Sequence, residues 1–150
     1  MSDAPYDADI SLPFPIEFLI ADTPRSHQSK NYEGKERCKL KVALAAKDHV
    51  STLRDWVFLD ERPLAATIFY FPPDKMGGDI DNIVKLILDG IKHVIYPEDS
   101  VIERVTVQKF EPDITWTFRA LTPKLEEAAE SEPPVIYIRI DDDLGWRSVT

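Results

Sequence analysis

The chain has 150 residues, 43% of them hydrophobic, and this size and composition favour a single domain, residues 1–150, with one core. Its formal net charge of -9 argues at first against a polyanionic partner, because proteins bind phosphates through Lys and Arg. No run of eighteen apolar residues occurs, and acidic residues stand where a signal peptide would have basic ones, so we expect a cytoplasmic protein outside the membrane.

The first predicted elements are a strand in residues 13–21, PFPIEFLIA, and, after a polar loop, a helix from about Lys35 to Phe58. Apolar residues of this helix recur at spacings near three and four and are predicted to face the core: Leu40, Ala43, Leu44, Val50, Leu53 and Val57. Residues 64–73, LAATIFYFPP, are apolar at both alternating positions, which predicts a central strand. Cys38 is the only cysteine, so it forms no internal disulfide, and we expect it to be inert.

Residues 77–110, GGDIDNIVKLILDGIKHVIYPEDSVIERVTVQKF, contain the clearest helix signal. Six apolar residues follow the amphipathic pattern, namely Ile80, Ile83, Val84, Ile87, Leu88 and Ile91. A turn, YPED, and a strand in 101–110 follow, and ITWTF (114–118) and VIYIRI (135–140) predict two more strands. The acidic segment 122–134 predicts a short helix or a linker. This order favours an α+β fold with a mixed or mostly antiparallel sheet and two main helices packed on it.

Charge is distributed unevenly along the chain. Residues 1–13 and 125–150 contain ten acidic and two basic residues, whereas residues 25–47 contain seven basic and two acidic ones. The acidic segments 1–13 and 125–133 are expected to be flexible. The basic segment is a candidate DNA-binding surface, with Arg25, Lys30, Lys35, Arg37 and Lys39 as the candidate contacts. The alternative is a solvated loop and helix face without a partner.

The charged residues at the start of the amphipathic helix allow a purely structural interpretation. Asp81, Lys85 and Asp89 are each four residues apart and form a polar stripe opposite the isoleucines. Asp79 would cap the helix and Asp81 would complement the helix dipole. Pairing of the stripe residues would then add a few tenths of a kcal/mol per pair.

A chemical interpretation competes with it, because carboxylates clustered together are costly unless a cation neutralises them. Asp79 and Asp81 follow two glycines, and a further acidic pair, Glu98 and Asp99, precedes the next strand. Oxygen ligands of this kind suit Mg²⁺ or Mn²⁺, and such ions commonly serve phosphate chemistry. The sequence leaves open whether Asp99 approaches the start of the helix, because the pattern does not fix how the helix crosses the sheet.

The composite of these motifs resembles the signature of RusA-type Holliday junction resolvases. In DIDNIVKLILDGIKHVIYPEDSVIERVTVQK the signature elements occur in order: D-x-D-N-x-x-K opening a helix, an Asp four residues later, an acidic pair, and a strand ending in Lys. The resemblance covers about 30 residues closely. It implies a RusA-like fold and a homodimeric, Mg²⁺-dependent endonuclease that resolves four-way DNA junctions by paired symmetric nicks in recombination and repair.

The resemblance also implies roles for single residues. Asp79, Asp81 and Asp99 take the metal-binding carboxylate positions, Lys85 takes that of the essential lysine, and all four count as catalytic. Asn82 and Asp89 match supporting positions, whereas Glu98 stands where Asp is common and is left out of the catalytic set. Gly77 and Gly78 and the acidic net charge depart from the family pattern. A catalytically inactive DNA- or protein-binding relative is therefore one alternative, and a small acidic interaction module is another.

Overall fold

A computed structural model describes residues 14–22, 32–51, 63–74, 81–112, 114–119 and 121–142. These residues form four strands, β1 (Ile16–Ile20), β2 (Leu64–Phe71), β3 (Ile102–Lys109) and β4 (Val135–Asp141). They also form three α-helices, α1 (Tyr32–Val50), α2 (Asp81–Ile91) and α3 (Pro123–Glu130), and a short 3-10 helix, Asp99–Val101. None of the helices in these ranges has the length and apolar character needed to cross a membrane.

The four strands form one mixed sheet in the order β1-β4-β2-β3. The last strand, β4, lies in the interior of the sheet and runs antiparallel to both of its neighbours. β2 and β3 are parallel, so α2 is the crossover connection that returns the chain to the start of β2. The predicted α+β class with a mixed sheet is confirmed, and so are the strands predicted around β1, β2, β3 and β4.

Each face of the sheet is covered by a different set of side chains. Residues at alternating positions of β2, from Leu64 to Tyr70, pack with α1 and α2 in the larger hydrophobic core. Phe69 and Phe71 point to the opposite face, where they contact Phe110, Trp116 and other aromatic rings beside α3. β2 is therefore apolar on both faces because each face meets its own cluster, as a central strand requires.

The prediction for α2 is confirmed. Ile83, Ile87 and Ile91 are buried in the larger core, while Lys85 on the opposite stripe is exposed. A strict apolar stripe along one side of a helix leaves a single way to bury it against a sheet. α2 therefore holds its polar stripe toward solvent.

The predicted length and inward face of α1 are wrong. The helix begins at Tyr32 and ends at Val50, where Ser51 forms a turn. Leu40 and Leu44 are 58% and 54% exposed, whereas small residues at i, i+4 and i+8 are fully buried, namely Cys38, Val42 and Ala46. Of the other residues predicted to face inward, Ala43 is half-buried, Val50 packs against the core, and Leu53 and Val57 lie outside the described residues.

The reason for the reversed face is the close approach of α1 and α2. At Gly90 an added Cβ would lie 2.8 Å from Val42 Cβ and 3.1 Å from Lys39 O, so a glycine is needed there. Two helices this close have room only for small residues between them. The larger leucines therefore face outward although they are the more hydrophobic residues.

The ITWTF segment is not a strand, and this prediction is also wrong. The structure describes residues 114–118 as irregular, with Trp116 and Phe118 half-buried against Phe110. Its alternating aromatic residues are explained by packing of rings onto the sheet and not by pairing of the backbone. The acidic segment 123–130 forms α3, with Thr122 as its N-cap and Leu125 and Ala128 buried.

The corrected face of α1 leads to a stability prediction. Val42→Ala should lower the free energy of unfolding by about 2 kcal/mol, because it removes two buried methyl groups and leaves a cavity. Leu40→Ala removes more carbon but should change stability by less than about 0.5 kcal/mol, because Leu40 is exposed. Urea unfolding of both variants with unchanged m-values measures the difference. If Leu40→Ala lost more unfolding free energy than Val42→Ala, the buried face of α1 would be the one predicted from hydrophobicity.

Candidate active site

The polar stripe of α2 is organised around Asp89. Lys85 Nζ donates to Asp89 Oδ1 at 2.9 Å, and Lys39 Nζ of α1 lies 3.6 Å from Asp89 Oδ2. Lys39 also pairs with Glu36, at 3.2 Å. One carboxylate thus joins α1 to α2 and fixes the side chain of Lys85. Because both of its oxygens face ammonium groups, Asp89 is suited to orienting Lys85 and not to binding a metal ion.

Asp99 is attached to the same helix through a tyrosine. The ring of Tyr96 is almost fully buried, and its hydroxyl lies 3.0 Å from Asp99 Oδ1 and 3.3 Å from the Leu88 carbonyl oxygen. A hydroxyl has one proton, so the shorter bond to the charged oxygen is the stronger one. Burial, and then the nearby Asp99 carboxylate, raise the pKa of Tyr96. Tyr96 is therefore a neutral donor that holds Asp99 beside the third turn of α2.

Lys85 interacts electrostatically with both carboxylates, Asp89 and Asp99. Its pKa is raised, first by the hydrogen bond to Asp89 and then by the charges of Asp89 and, more weakly, Asp99. The side chain is 59% exposed, so its ammonium group is accessible to a ligand in solvent. Lys85, Asp89 and Asp99 thus form one charged group on the surface of α2, which we call the α2 site.

The remaining predicted site residues are Asp79, Asp81 and Asn82. Asp79 lies outside the described residues, and for Asp81 and Asn82 the structure describes the backbone, at the first turn of α2. Asp81 is about 10 Å along the helix axis from Leu88, next to which Asp99 is held. Lys85 lies between these two levels. The grouping of Asp79 and Asp81 with Asp99 stays a prediction.

The predicted DNA-binding residues that the structure describes lie on different sides of α1. Arg25 and Lys30 lie outside the described residues. Lys39 faces α2, whereas Arg37 lies about 160° around the helix from it, on the side where Lys41 pairs with Asp22. Lys35 is half-buried at the start of the helix. The described basic residues of this segment therefore lie on different sides of α1, and of these described residues Lys39 contacts the α2 site.

The donor groups of the α2 site can be compared with the needs of Mg²⁺. In the ranges that the structure describes, no three His, Cys, Asp or Glu side chains lie together as a metal site. Asp99 supplies a hard carboxylate oxygen in a fixed position, which fits a Mg²⁺ ligand, and the predicted partners Asp79 and Asp81 would supply two more. The residue types present therefore fit Mg²⁺.

Sequence reasoning missed Tyr96, which it treated as part of a turn. An aromatic residue three positions before an acidic one in a turn was the available signal, because a buried tyrosine hydroxyl usually finds a hydrogen-bond partner. The identity of that partner depends on the path of α2 over the sheet. It could not be obtained from the sequence pattern.

The crossover helix of this mixed sheet presents a lysine and a carboxylate, and Asp99 adds a second carboxylate beside it, which are side chains that phosphate chemistry can use. The family model described as Endodeoxyribonuclease RusA matches residues 20–115, which is more than half of the chain and includes all of the α2 site. The chain therefore belongs to the RusA family of endodeoxyribonucleases, the RusA-type Holliday junction resolvases. No curated protein matches the chain.

Proposed function

We propose that this protein is a Mg²⁺-dependent endonuclease that resolves four-way DNA junctions by paired symmetric nicks in cytoplasmic DNA recombination and repair. Mn²⁺ would substitute for Mg²⁺, because both ions prefer oxygen ligands. The observation that carries the proposal is the attachment of Asp99, through Tyr96, beside Lys85 on the helix that begins with Asp81. Membership of the RusA family supplies the reaction class.

Three carboxylates would hold the metal ion, namely Asp79, Asp81 and Asp99. When bound, Mg²⁺ would polarise the scissile phosphoryl group and lower the pKa of a bound water molecule. Asn82, which matches a supporting position of the family signature, would orient the carboxylates next to it. Tyr96 fixes the rotamer of Asp99 before any ion arrives, so less ordering remains to be done on binding.

Lys85 would stabilise the negative charge that builds up on the phosphate during cleavage. Its raised pKa keeps the ammonium group charged at neutral pH, and Asp89 holds it in place from the next turn. Because Asp89 is also tied to Lys39, the position of Lys85 depends on the packing of α1 against α2. The catalytic lysine is thus supported by two helices.

A four-way junction requires two symmetric cuts, and one chain supplies one such site. A two-fold symmetric homodimer is the economical arrangement, because the same surface then presents both sites to the two strands. Light scattering at micromolar concentration, with and without a junction, should give the mass of a dimer. A monomer that still resolves junctions with paired cuts would contradict this assembly.

The function is tested with a synthetic four-way junction whose strands are labelled one at a time. With Mg²⁺ the protein should nick two opposing strands at symmetry-related positions, and a linear duplex of the same sequence should remain intact. Chelation of the metal should stop the reaction but leave junction binding, which depends on phosphate contacts. Junction binding with no nicking in Mg²⁺ or Mn²⁺ would instead identify a catalytically inactive relative.

Removing one oxygen atom should weaken the response to metal. Tyr96→Phe keeps the buried ring but releases Asp99 from its hydroxyl donor. We expect the Mg²⁺ concentration for half-maximal cleavage to rise about tenfold, with the rate largely recovered at saturating Mg²⁺, because mutation of such a supporting group costs about 10- to 100-fold in metal affinity. The unfolding free energy should fall by about 1 kcal/mol.

Tyr137→Phe is the matched control. Tyr137 is also almost fully buried, and its hydroxyl bonds to Glu17 on the other face of the sheet. It should lose a similar amount of stability while the Mg²⁺ dependence of cleavage stays as in the wild type. If both variants shift the Mg²⁺ dependence equally, the effect of Tyr96 comes from general destabilisation.

A further inference from the structure

The face of the sheet opposite α1 and α2 carries a polar cleft in addition to its aromatic cluster. The cleft spans three adjacent strands and is lined by Ala65 and Thr67 of β2, Arg104 and Thr106 of β3, and Arg139 and Asp141 of β4. We call it the β-face cleft. None of its residues belongs to the α2 site, and it lies on the other side of the sheet from α2.

Strand register explains why a depression forms at this place. Arg104 and Asp141 flank Ala65 in one cross-strand row, and Thr106 and Arg139 flank Thr67 in the next row on the same face. The middle strand therefore contributes two short side chains, while an arginine rises from each neighbouring strand. A floor of small residues between two arginines leaves room for a group of a few atoms.

The side chain of Arg139 is held in a defined orientation. Its Nε and Nη2 atoms both donate to Asp141 Oδ2, at 3.2 and 2.7 Å, and the side chain is 30% exposed. A guanidinium has five N–H donors in a rigid plane, so two bonds to one carboxylate fix that plane. Arg104 lies across the cleft from it and is exposed. The cleft therefore has an arginine on each of two sides, and the orientation of Arg139 is fixed by Asp141.

The charge and donors of the cleft select an anion. Two guanidinium groups face one carboxylate, so the lining is net positive although the whole chain carries -9. Guanidinium and threonine hydroxyl groups together are the donors with which proteins hold phosphate oxygens. By contrast, the groove that α1 and α3 form on β1 is lined by Glu17, Asp48 and Glu127 with one lysine, Lys124, and His49.

The cleft and the α2 site are also close in the sequence and lie near the same end of the sheet. Asp99 stands just before β3, and Arg104 lies within β3, the strand at the edge of the described sheet. Both are near the end of the sheet at which β2 begins, because Leu64 of β2 pairs with Ile102. β3 is exposed along much of its length, so a branched ligand can reach both sides of this edge.

We propose that the β-face cleft binds a backbone phosphate of the DNA junction, in an arm other than the one at the α2 site. This inference rests on the proposed function for the branched nature of the ligand, but the cleft itself is argued from its own residues. Arg104 and Arg139 contact the phosphate oxygens, and the hydroxyl groups of Thr67 and Thr106 donate hydrogen bonds to them. The contact is independent of base sequence and serves to orient the junction.

The test measures binding of a fluorescent four-way junction without Mg²⁺, by anisotropy, over a range of salt concentrations. Arg104→Gln and Arg139→Gln should each weaken binding about tenfold at low salt and reduce the slope of log K against log salt by about one. Arg139→Gln removes the partner of Asp141 and could disturb the sheet, so Arg139→Lys is measured beside it. That variant keeps the charge but loses the planar fork, and should retain the slope with weaker binding.

Lys124→Gln is the matched control, because it makes the same change in charge on the same side of the sheet, at α3. It should leave slope and affinity as in the wild type. An equal effect of Lys124→Gln, wild-type slopes in both Arg→Gln variants, or a wild-type protein that binds no DNA would each overturn the cleft as a phosphate site.

Failure of the inference can be separated from failure of the proposed function by nicking assays on the wild type. If the wild type nicks the junction but the arginine variants have unchanged slopes, the cleft is not a phosphate site and the proposed nuclease function stands. If the arginine variants have reduced slopes but the wild type nicks no junction, the cleft is a nucleic-acid site and the proposed nuclease function is wrong.

Discussion

Asp99→Asn should lower the rate of junction cleavage by about 10³-fold or more, equivalent to about 4 kcal/mol of activation free energy. The amide can still accept the hydrogen bond of Tyr96, so the local fold should persist, but it lacks the charge that a metal ligand needs. Asp79→Asn and Asp81→Asn should give losses of the same size. Single-turnover nicking at saturating protein measures the chemical step apart from DNA binding.

Two controls make this result specific to Asp99. Glu98→Gln changes the neighbouring exposed acid and should leave the rate within a few-fold of the wild type. Mg²⁺ should raise the melting temperature of the wild type by binding to the folded state, and should do so less in Asp99→Asn. An Asp99→Asn protein that cleaves normally but unfolds more easily would reduce Asp99 to a structural residue at the start of the 3-10 helix.

Lys85→Gln should slow the chemical step by about 10²- to 10³-fold while junction affinity falls only slightly, because one donor is lost from the site where charge develops. Lys92→Gln is the matched control, since Lys92 follows the last residue of α2 directly and lies seven residues after Lys85. It should cleave at a rate close to that of the wild type. If the two variants lose the same activity, the stripe acts through its total charge and Lys85 has no particular role.

The ionisation of Lys85 adds a pH test. Because Asp89 and Asp99 raise its pKa above the ordinary lysine value, Lys85 stays protonated from pH 6 to 9, and its titration should not shape the rate profile in that range. Asp89→Asn lowers this pKa again but leaves it well above neutral. Its loss of activity should therefore be smaller than that of Lys85→Gln and constant across the range, as expected for a residue that positions the lysine.

The sequence predicts the parts of the fold that can be buried in only one orientation. α2 has a continuous apolar stripe and a polar stripe opposite it, so the sequence alone fixes which side is buried. α1 has no such contrast, and its orientation follows from the contact of Gly90 with Val42. That contact joins residues 48 positions apart in a packed interface, and hydrophobicity ranks Leu40 above the smaller residues that actually fit there.

The candidate site likewise has features that the sequence predicts and features that it does not. The pair of Lys85 and Asp89 follows from helical spacing, and the structure shows it. The approach of Asp99 to α2 requires β3 to lie parallel to β2 and Tyr96 to be buried beneath the turn. Both are properties of the assembled sheet and core. The β-face cleft forms only when three strands are in register, and two of these strands are far apart in the chain. No local sequence motif predicts it.

The position of β4 has a consequence for how the protein is made. β1 and β2 do not pair with each other but meet through β4, whose Ile136, Ile138 and Ile140 are fully buried, so the sheet is incomplete until residue 141 has been synthesised. In the described sheet β1 has no partner other than β4, and the pairing of β2 with β4 joins residues more than 60 positions apart, so these contacts form slowly. Residues 20–115, the part that carries the family signature, lack this central strand. A shortened polypeptide of that length should therefore fail to fold and to cleave a junction, although it contains every proposed catalytic residue.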